Sequence, residues 1–193
     1  MRAFLALEMS ESIRQNLARL QSGLRPALKG VRWVEPQSLH LTLKFLGDVA
    51  GGFAEQAGPA LAACAAAAPV SKLVCQGVGA FPDARRPRVV WVGLAEDPPM
   101  LAALSHALDR AAAAFGVAPE DKPFRAHVTI GRVKEPKPAP GIAAALAAQA
   151  GFVAGAMEAR EIVLMKSDLR PAGPVYTPLA RFALGGQSGG PRI

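Results

Sequence analysis

The 193-residue sequence predicts an α+β fold of two related lobes that face each other across a cleft. The order strand, helix, strand occurs twice, beginning with RAFLAL and again with RVVWVGL. The later strand of each copy carries the pattern H-x-T, in SLHLTLKFLG and in KPFRAHVTIGRV. The spacing agrees as well, with Arg2 38 residues before His40 and Arg88 39 residues before His127. Only three histidines and three threonines occur in the whole chain, so two of each in one pattern marks a repeated unit.

Each element has its own signal. RAFLALE (2–8) has the apolar content of a buried strand. Ser10 caps a helix through SIRQNLARLQSGL, in which Ile13, Leu17 and Leu20 recur at helical spacing. Gly23 to Gly30 closes that helix, and VRWVEP leads into SLHLTLKFLGDV, a strand ending at Gly47-Asp48. An Ala-rich helix over about 52–68 stops at Pro69. SKLVCQGVGAFP is a strand running into a turn, and ARRPRVVWVGLAE is a strand after a basic loop that contains Arg85, Arg86 and Arg88. A helix from about Pro98 to Phe115 is stopped by Gly116, and FRAHVTIGRVK follows as a strand. EPKPAPG is a loop on its prolines. A further Ala-rich helix covers about 141–149, and EIVLMKSDL, PVYTPLA and RFALG supply closing strands. The tail GGQSGGPRI has a disordered composition.

Composition narrows the class. No apolar run approaches the ~20 residues of a membrane span, and Glu8 interrupts the N-terminal apolar stretch too early for a secretory leader, which predicts a soluble, cytoplasmic protein. Cys64 and Cys75 lie eleven apart in a helix and a strand and fit buried free thiols, not a metal or redox motif. A net charge of +7 favours a polyanionic partner such as RNA, although the basic residues are dispersed.

Side chains alternate along a strand, so His40, Thr42 and Lys44 are expected on one face and Leu41, Leu43 and Phe45 on the other. His127 and Thr129 likewise share a face, opposite Val128 and Ile130, with Arg125 on the histidine side. If a pseudo-twofold brings the polar faces together, two imidazoles and two hydroxyls surround one point. Two imidazoles can act as one base and one acid near neutral pH, and two hydroxyls can donate to an oxyanion between them. In-line displacement at phosphorus requires that set. With no carboxylate cluster beside either motif, no metal and no cofactor are expected. Lys44 and Arg125 are candidates for contacts to an RNA strand. Phe45 could stack a base, against the simpler expectation that it packs in the core. His106, with no threonine partner, is expected on a helix surface.

On RAFLAL, RWVEPQSLHLTLKFLGDV, GVGAFPDARRPRVVWVGL, PFRAHVTIGRV and the closing Tyr176 with RFAL, nearly the whole chain resembles the 2H phosphoesterases. It is most similar to the bacterial and archaeal RNA 2′,3′-cyclic phosphodiesterases, also called 2′-5′ RNA ligases. The resemblance implies a bilobal LigT-like fold over 1–184, with antiparallel sheets lining a central cleft, helices outside, and a flexible tail at 185–193. It implies catalysis by His40 and His127, phosphate binding by Thr42, Thr129 and Arg132, and opening of RNA 2′,3′-cyclic phosphate ends to 2′-phosphates with a reversible 2′-5′ ligation. tRNA fragments are among the expected substrates, and a monomer is expected. Simple alternation puts Arg132 on the wrong face, so a bulge at Gly131 or a position at the strand's end is needed to bring it to the site. The rival readings are a phosphodiesterase for small cyclic nucleotides or ADP-ribose cyclic phosphate, and a noncatalytic binder of RNA ends.

Overall fold

The computed structural model describes residues 1–96, 98–133, 140–171 and 173–185. In chain order the strands are β1 (Arg2–Glu8), β2 (Val31–Trp33), β3 (His40–Asp48), β4 (Ser71–Phe81), β5 (Val89–Leu94), β6 (Val128–Val133), β7 (Val153–Ala159), β8 (Glu161–Arg170) and β9 (Gly173–Ala183). The helices are α1 (Glu11–Leu24), α2 (Phe53–Ala67), α3 (Pro99–Ala113) and α4 (Pro140–Ala147). Ser10 caps α1 as expected, its side chain accepting from the Ile13 N–H at 3.4 Å.

The expected two-lobed arrangement is present, with the strands of both lobes joined edge to edge. The order is β7-β4-β5-β6-β3-β1-β8-β9, all antiparallel, with β2 added on β6. The order is symmetric about the β6–β3 contact: β6 matches β3, β5 matches β1, β4 matches β8 and β7 matches β9. At that contact the two lobes meet through one residue pair, Leu41 with Val128. Elsewhere along this path the ladders are longer, so the centre of the molecule is where the sheet opens.

Helices cross between lobes. α1 leaves β1 but packs on the far lobe, with Ile13 against Gly155 of β7 and the Asn16 side chain donating to the Ala154 carbonyl at 2.8 Å. α3 leaves β5 and packs behind β3, while α2 lies on α3 and β9. The main core, between sheet and helices, contains Leu5, Leu7, Ile13, Leu17, Leu41, Leu43, Leu61, Leu104, Val128 and Ile130, all nearly inaccessible. Burial of each such side chain contributes roughly 1.5–3 kcal/mol. A second, smaller cluster of Phe4, Ala6, Val163 and Met165 with Tyr176 covers the opposite face of β1 and β8.

Several expectations are refined. β7 has no counterpart in the sequence reading, because VAGAMEA is alanine-rich and broken by Gly155, whose φ is +127°. PVYTPLA and RFAL form one strand, β9, and not two. It lies at the sheet edge, where Pro174 and Pro178 remove no ladder bond that the core needs. His127 precedes β6 and is not within it. Cys75 is buried, which pushes its thiol up to about 11, and Cys64 is half-buried; both are free. The expected tail over 185–193, except for its first residue, and most of the EPKPAPG loop lie outside the described residues. No described helix is long and apolar enough to cross a membrane.

Candidate active site

The site is built on the Leu41–Val128 bridge. In an antiparallel pair centred there, the flanking residues oppose each other as His40 with Thr129 and Thr42 with His127. Leu41 and Val128 point into the core at 0% exposure, so the four polar side chains project from the other face, into the cleft. Each histidine therefore lies beside the threonine of the other motif, and the local pseudo-twofold passes through the middle of the set.

Both imidazoles are fixed in the same way. His40 Nδ1 is 2.7 Å from the Ser38 carbonyl, and His127 Nδ1 is 2.7 Å from the Arg125 carbonyl. A carbonyl only accepts, so Nδ1 carries the hydrogen in both rings, and Nε2 is the nitrogen left to exchange a proton in the cleft. Aromatic walls hold the rings. His40 stacks on Phe4 at 4.7 Å between centroids with Tyr176 edge-on at 5.2 Å, and Phe81 meets His127 edge-on at 5.0 Å. Burial holds both imidazoles below their usual pKa. The Arg132 guanidinium adds to this at both rings, while the carbonyl hydrogen bonds act in the opposite sense. Charge on His127 lowers His40 further, and the Glu8 carboxylate, opposite His40 on β1, raises it.

Two bulges reorder the rest of each motif. β1 pairs Ala6 with Thr42 and Leu5 with Lys44, which leaves Leu43 without a partner. β5 pairs Trp91 with Thr129 and Val90 with Gly131, which leaves Ile130 without one. The extra residue follows the threonine in both copies and reverses the alternation beyond it. Arg132 is thereby turned back to the histidine face; the bulged residue is Ile130, one position before the glycine on which it was expected. Gly131 serves another purpose, since a Cβ there would lie 2.6 Å from Val31 Cγ1.

In the first copy the same reversal corrects two sequence expectations. Lys44 leaves the histidine face: it is 2% exposed and its ammonium is 2.8 Å from Asp109, 3.5 Å from Glu120 and 2.8 Å from the Ala118 carbonyl. That charge is already neutralised, so Lys44 is not a free phosphate contact. Phe45, expected in the core, is 47% exposed and lies 6.0 Å from Phe4, on the site side. Phe45 and Arg132, each five residues after its histidine, are thus corresponding positions of the two copies.

Each bulge is pinned from behind by a buried polar side chain. Gln21 of α1 donates to the Ile130 carbonyl at 2.8 Å and the Val34 carbonyl at 2.7 Å. Ser105 of α3 donates to the Leu43 carbonyl at 2.7 Å. Gln21 and Ser105 are 3% and 5% exposed and sit on corresponding helices. The sequence reading missed both, although a lone glutamine on the apolar face of α1 was a visible signal. It also missed Phe4, Phe81 and Glu8 as neighbours of the histidines.

Beside His127 and Thr42 a cavity of about 170 Å³ opens toward α3, lined also by Phe45, His106, Glu120, Phe124 and Arg125. His106 is exposed on α3, as expected, and forms part of this rim. Arg125 is exposed there, on the rim of the cavity. Arg85 and Arg86 occupy an exposed turn whose N–H groups donate to Asp83 at 2.7 and 3.0 Å. Among the described residues no group of three or more His, Cys, Asp or Glu side chains is placed to hold a metal ion.

The comparisons with known proteins follow the same division into copies. The family model described as LigT like Phosphoesterase matches twice, over residues 7–91 and 92–176. The chain is 36% identical over 183 residues to the RNA 2′,3′-cyclic phosphodiesterase of Methanothermobacter thermautotrophicus, covering 95% of this chain and 98% of that protein. It is 34% identical over 186 residues to the protein of the same name from Aquifex aeolicus, covering 96% and 98%. Among solved structures, a protein of Thermus thermophilus superposes with a TM-score of 0.79 at 30% identity, over 97% of this chain and all of that one. E. coli LigT complexed with NADP+ superposes with a TM-score of 0.75 at 28% identity, over 95% and 96%.

Proposed function

Because the chain belongs to the LigT-like phosphoesterase family, we propose that its cleft opens 2′,3′-cyclic phosphate ends of RNA to 2′-phosphates, without a metal ion. The observation that carries this reading is the antiparallel setting of the two H-x-T motifs, with one free Nε2 on each side of a common point. A cyclic phosphate seated there has water on one side of phosphorus and the 3′ oxygen on the other.

In the proposed reaction His127 Nε2 takes the proton of the attacking water as the new P–O bond forms. His40 Nε2–H gives its proton to the 3′ oxygen as the P–O3′ bond breaks. Burial is the larger effect on both rings, and His40 is assigned the acid because a carboxylate, Glu8 (itself paired with Arg181 at 2.6 Å), acts on it and none acts on His127. Thr42 and Thr129 donate to the non-bridging oxygens, and Arg132 balances the charge that develops on them. A 5′-hydroxyl RNA end in place of water would leave a 2′-5′ linkage, so ligation is the same displacement with another nucleophile. The exposed Phe45 ring and the cavity beside it suit the terminal nucleobase, with Arg125 on the rim of that cavity.

Incubation with an oligonucleotide ending in a 2′,3′-cyclic phosphate, in excess EDTA, tests the reading. A 2′-phosphate product is expected. An intact cyclic end would indicate a binder, and activity restored only by added Mg²⁺ or Mn²⁺ would defeat the metal-free mechanism. A series from nucleoside cyclic phosphate to oligonucleotide separates RNA from small-nucleotide specificity.

A further inference from the structure

We propose that Arg32, beside Arg132, forms a subsite for a second phosphate: the internucleotide phosphodiester on the 5′ side of the reacting nucleotide. This rests on the cyclic-phosphate reading above. Arg32 and Arg132 are direct partners in the β2–β6 ladder, so their side chains leave the same face. That face is the cleft. Val31 and Trp33, on either side of Arg32, pack toward the core over Gly131, while Arg32 itself is exposed.

Two like charges directly opposed across a ladder repel, which costs stability and is relieved when each guanidinium has an anion beside it. Arg32 is also held in place: its Nη2 donates to the Pro171 carbonyl at 3.2 Å, at the turn between β8 and β9. The same nitrogen would lie 3.1 Å from a Cβ at position 173, where glycine leaves the space open. The guanidinium therefore bridges β2 on the second lobe to the β8–β9 hairpin of the first. Tyr176, which borders His40, lies on that hairpin and feels the charges of both Arg132 and Arg2. The opposite end, around the cavity, differs in balance because Asp109 and Glu120 face Lys44 there. Among the described residues neither Arg32 nor Arg132 has a carboxylate within ion-pair distance. Two guanidinium groups thus stand side by side at the Arg32 end, and a strand whose 3′-terminal phosphate reacts at the histidines has its next phosphate there.

The test compares two substrates, a nucleoside 2′,3′-cyclic phosphate and a dinucleotide with the same cyclic end and one internucleotide phosphate. The intact protein should prefer the dinucleotide in kcat/KM, and the preference should fall with salt by a slope of about −0.7, the value for one phosphate contact on a single strand. R32Q should reduce the dinucleotide's kcat/KM about tenfold more than the nucleoside's and remove the extra salt slope, with R32K losing less. Equal losses on both substrates would make Arg32 a strut for the hairpin and overturn the proposal. So would an intact protein that shows no dinucleotide preference at low salt, a result that stands even if R32Q fails to fold. Failure of the intact protein to open either substrate would instead refute the cyclic-phosphate reading.

Discussion

At the scale of single residues, the state of the two imidazoles decides what the site can do. Burial and Arg132 lower both, so each is mostly neutral in the free protein at pH 7. Because kcat/KM reports the free enzyme, its bell should be centred on the acid side of ~6.5, the ordinary histidine value. A bound phosphate anion favours the charged imidazole and raises the pKa, so the bell for kcat should lie at higher pH than that for kcat/KM. Removing the guanidinium acts in the same direction on the free enzyme: Arg132→Gln should move the kcat/KM bell toward alkaline pH while lowering its height. A bell that does not move would place Arg132 away from both rings. The limbs belong to the coupled pair and not to either residue alone. With His127 as base, His127→Ala should flatten the acid limb, and His40→Ala the alkaline one. Thr42→Ala and Thr129→Ala should each cost roughly 10–100-fold in kcat, as one hydroxyl donor is lost.

At the scale of elements, the two bulges bring Phe45 and Arg132 to the face of the histidines, and the helices behind hold them by hydrogen bonds. Gln21→Leu removes the donor to the Val34 carbonyl and one of two donors to Ile130, at a cost of about 1–3 kcal/mol. If the bulge relaxes, Arg132 leaves the histidines, so this variant should reproduce the alkaline shift of Arg132→Gln. A stability loss with an unmoved pH profile would show that Gln21 supports the fold only. On β5 the Trp91 ring lies directly over Gly79, where a Cβ would collide with it, and Trp91 is the ladder partner of Thr129. Gly79→Ala should therefore lower stability by ~1–3 kcal/mol through overpacking and reduce activity by shifting that partner; unchanged unfolding would contradict the packing. These elements also separate what the sequence disclosed from what it hid. The motif strands, α1 and its Ser10 cap were legible because their periodicity and capping are local. The positions of Lys44 and Phe45 were not, because one inserted residue reverses every side chain after it and nothing in HLTLKFLG marks where it falls. The need for a bulge before Arg132 was inferable, but its location at Ile130 depends on Gln21, more than a hundred residues away in the chain. β7 was hidden by its alanines, which favour helix locally and become strand only on the edge that β4 offers.

At the scale of the molecule, one strand–helix–strand unit occurs twice and neither copy contains a complete site. Each supplies one histidine, one threonine and one residue five positions after the histidine, an aromatic ring in one copy and a guanidinium in the other. The β3–β6 ladder that joins the lobes has a single residue pair, where those groups converge, and α1 and α3 each cross over to support the opposite lobe. In the proposed mechanism the two histidines act as one unit in one displacement. The most direct measurement is a double-mutant cycle in kcat on a cyclic-phosphate end, with chemistry rate-limiting. Each single change, His40→Ala and His127→Ala, should lower kcat by ~10²–10⁴. The double variant should be little worse than the more impaired single, because the first loss already disables the pair. Losses that multiply in full would mean that the histidines contribute independently, and would contradict the account.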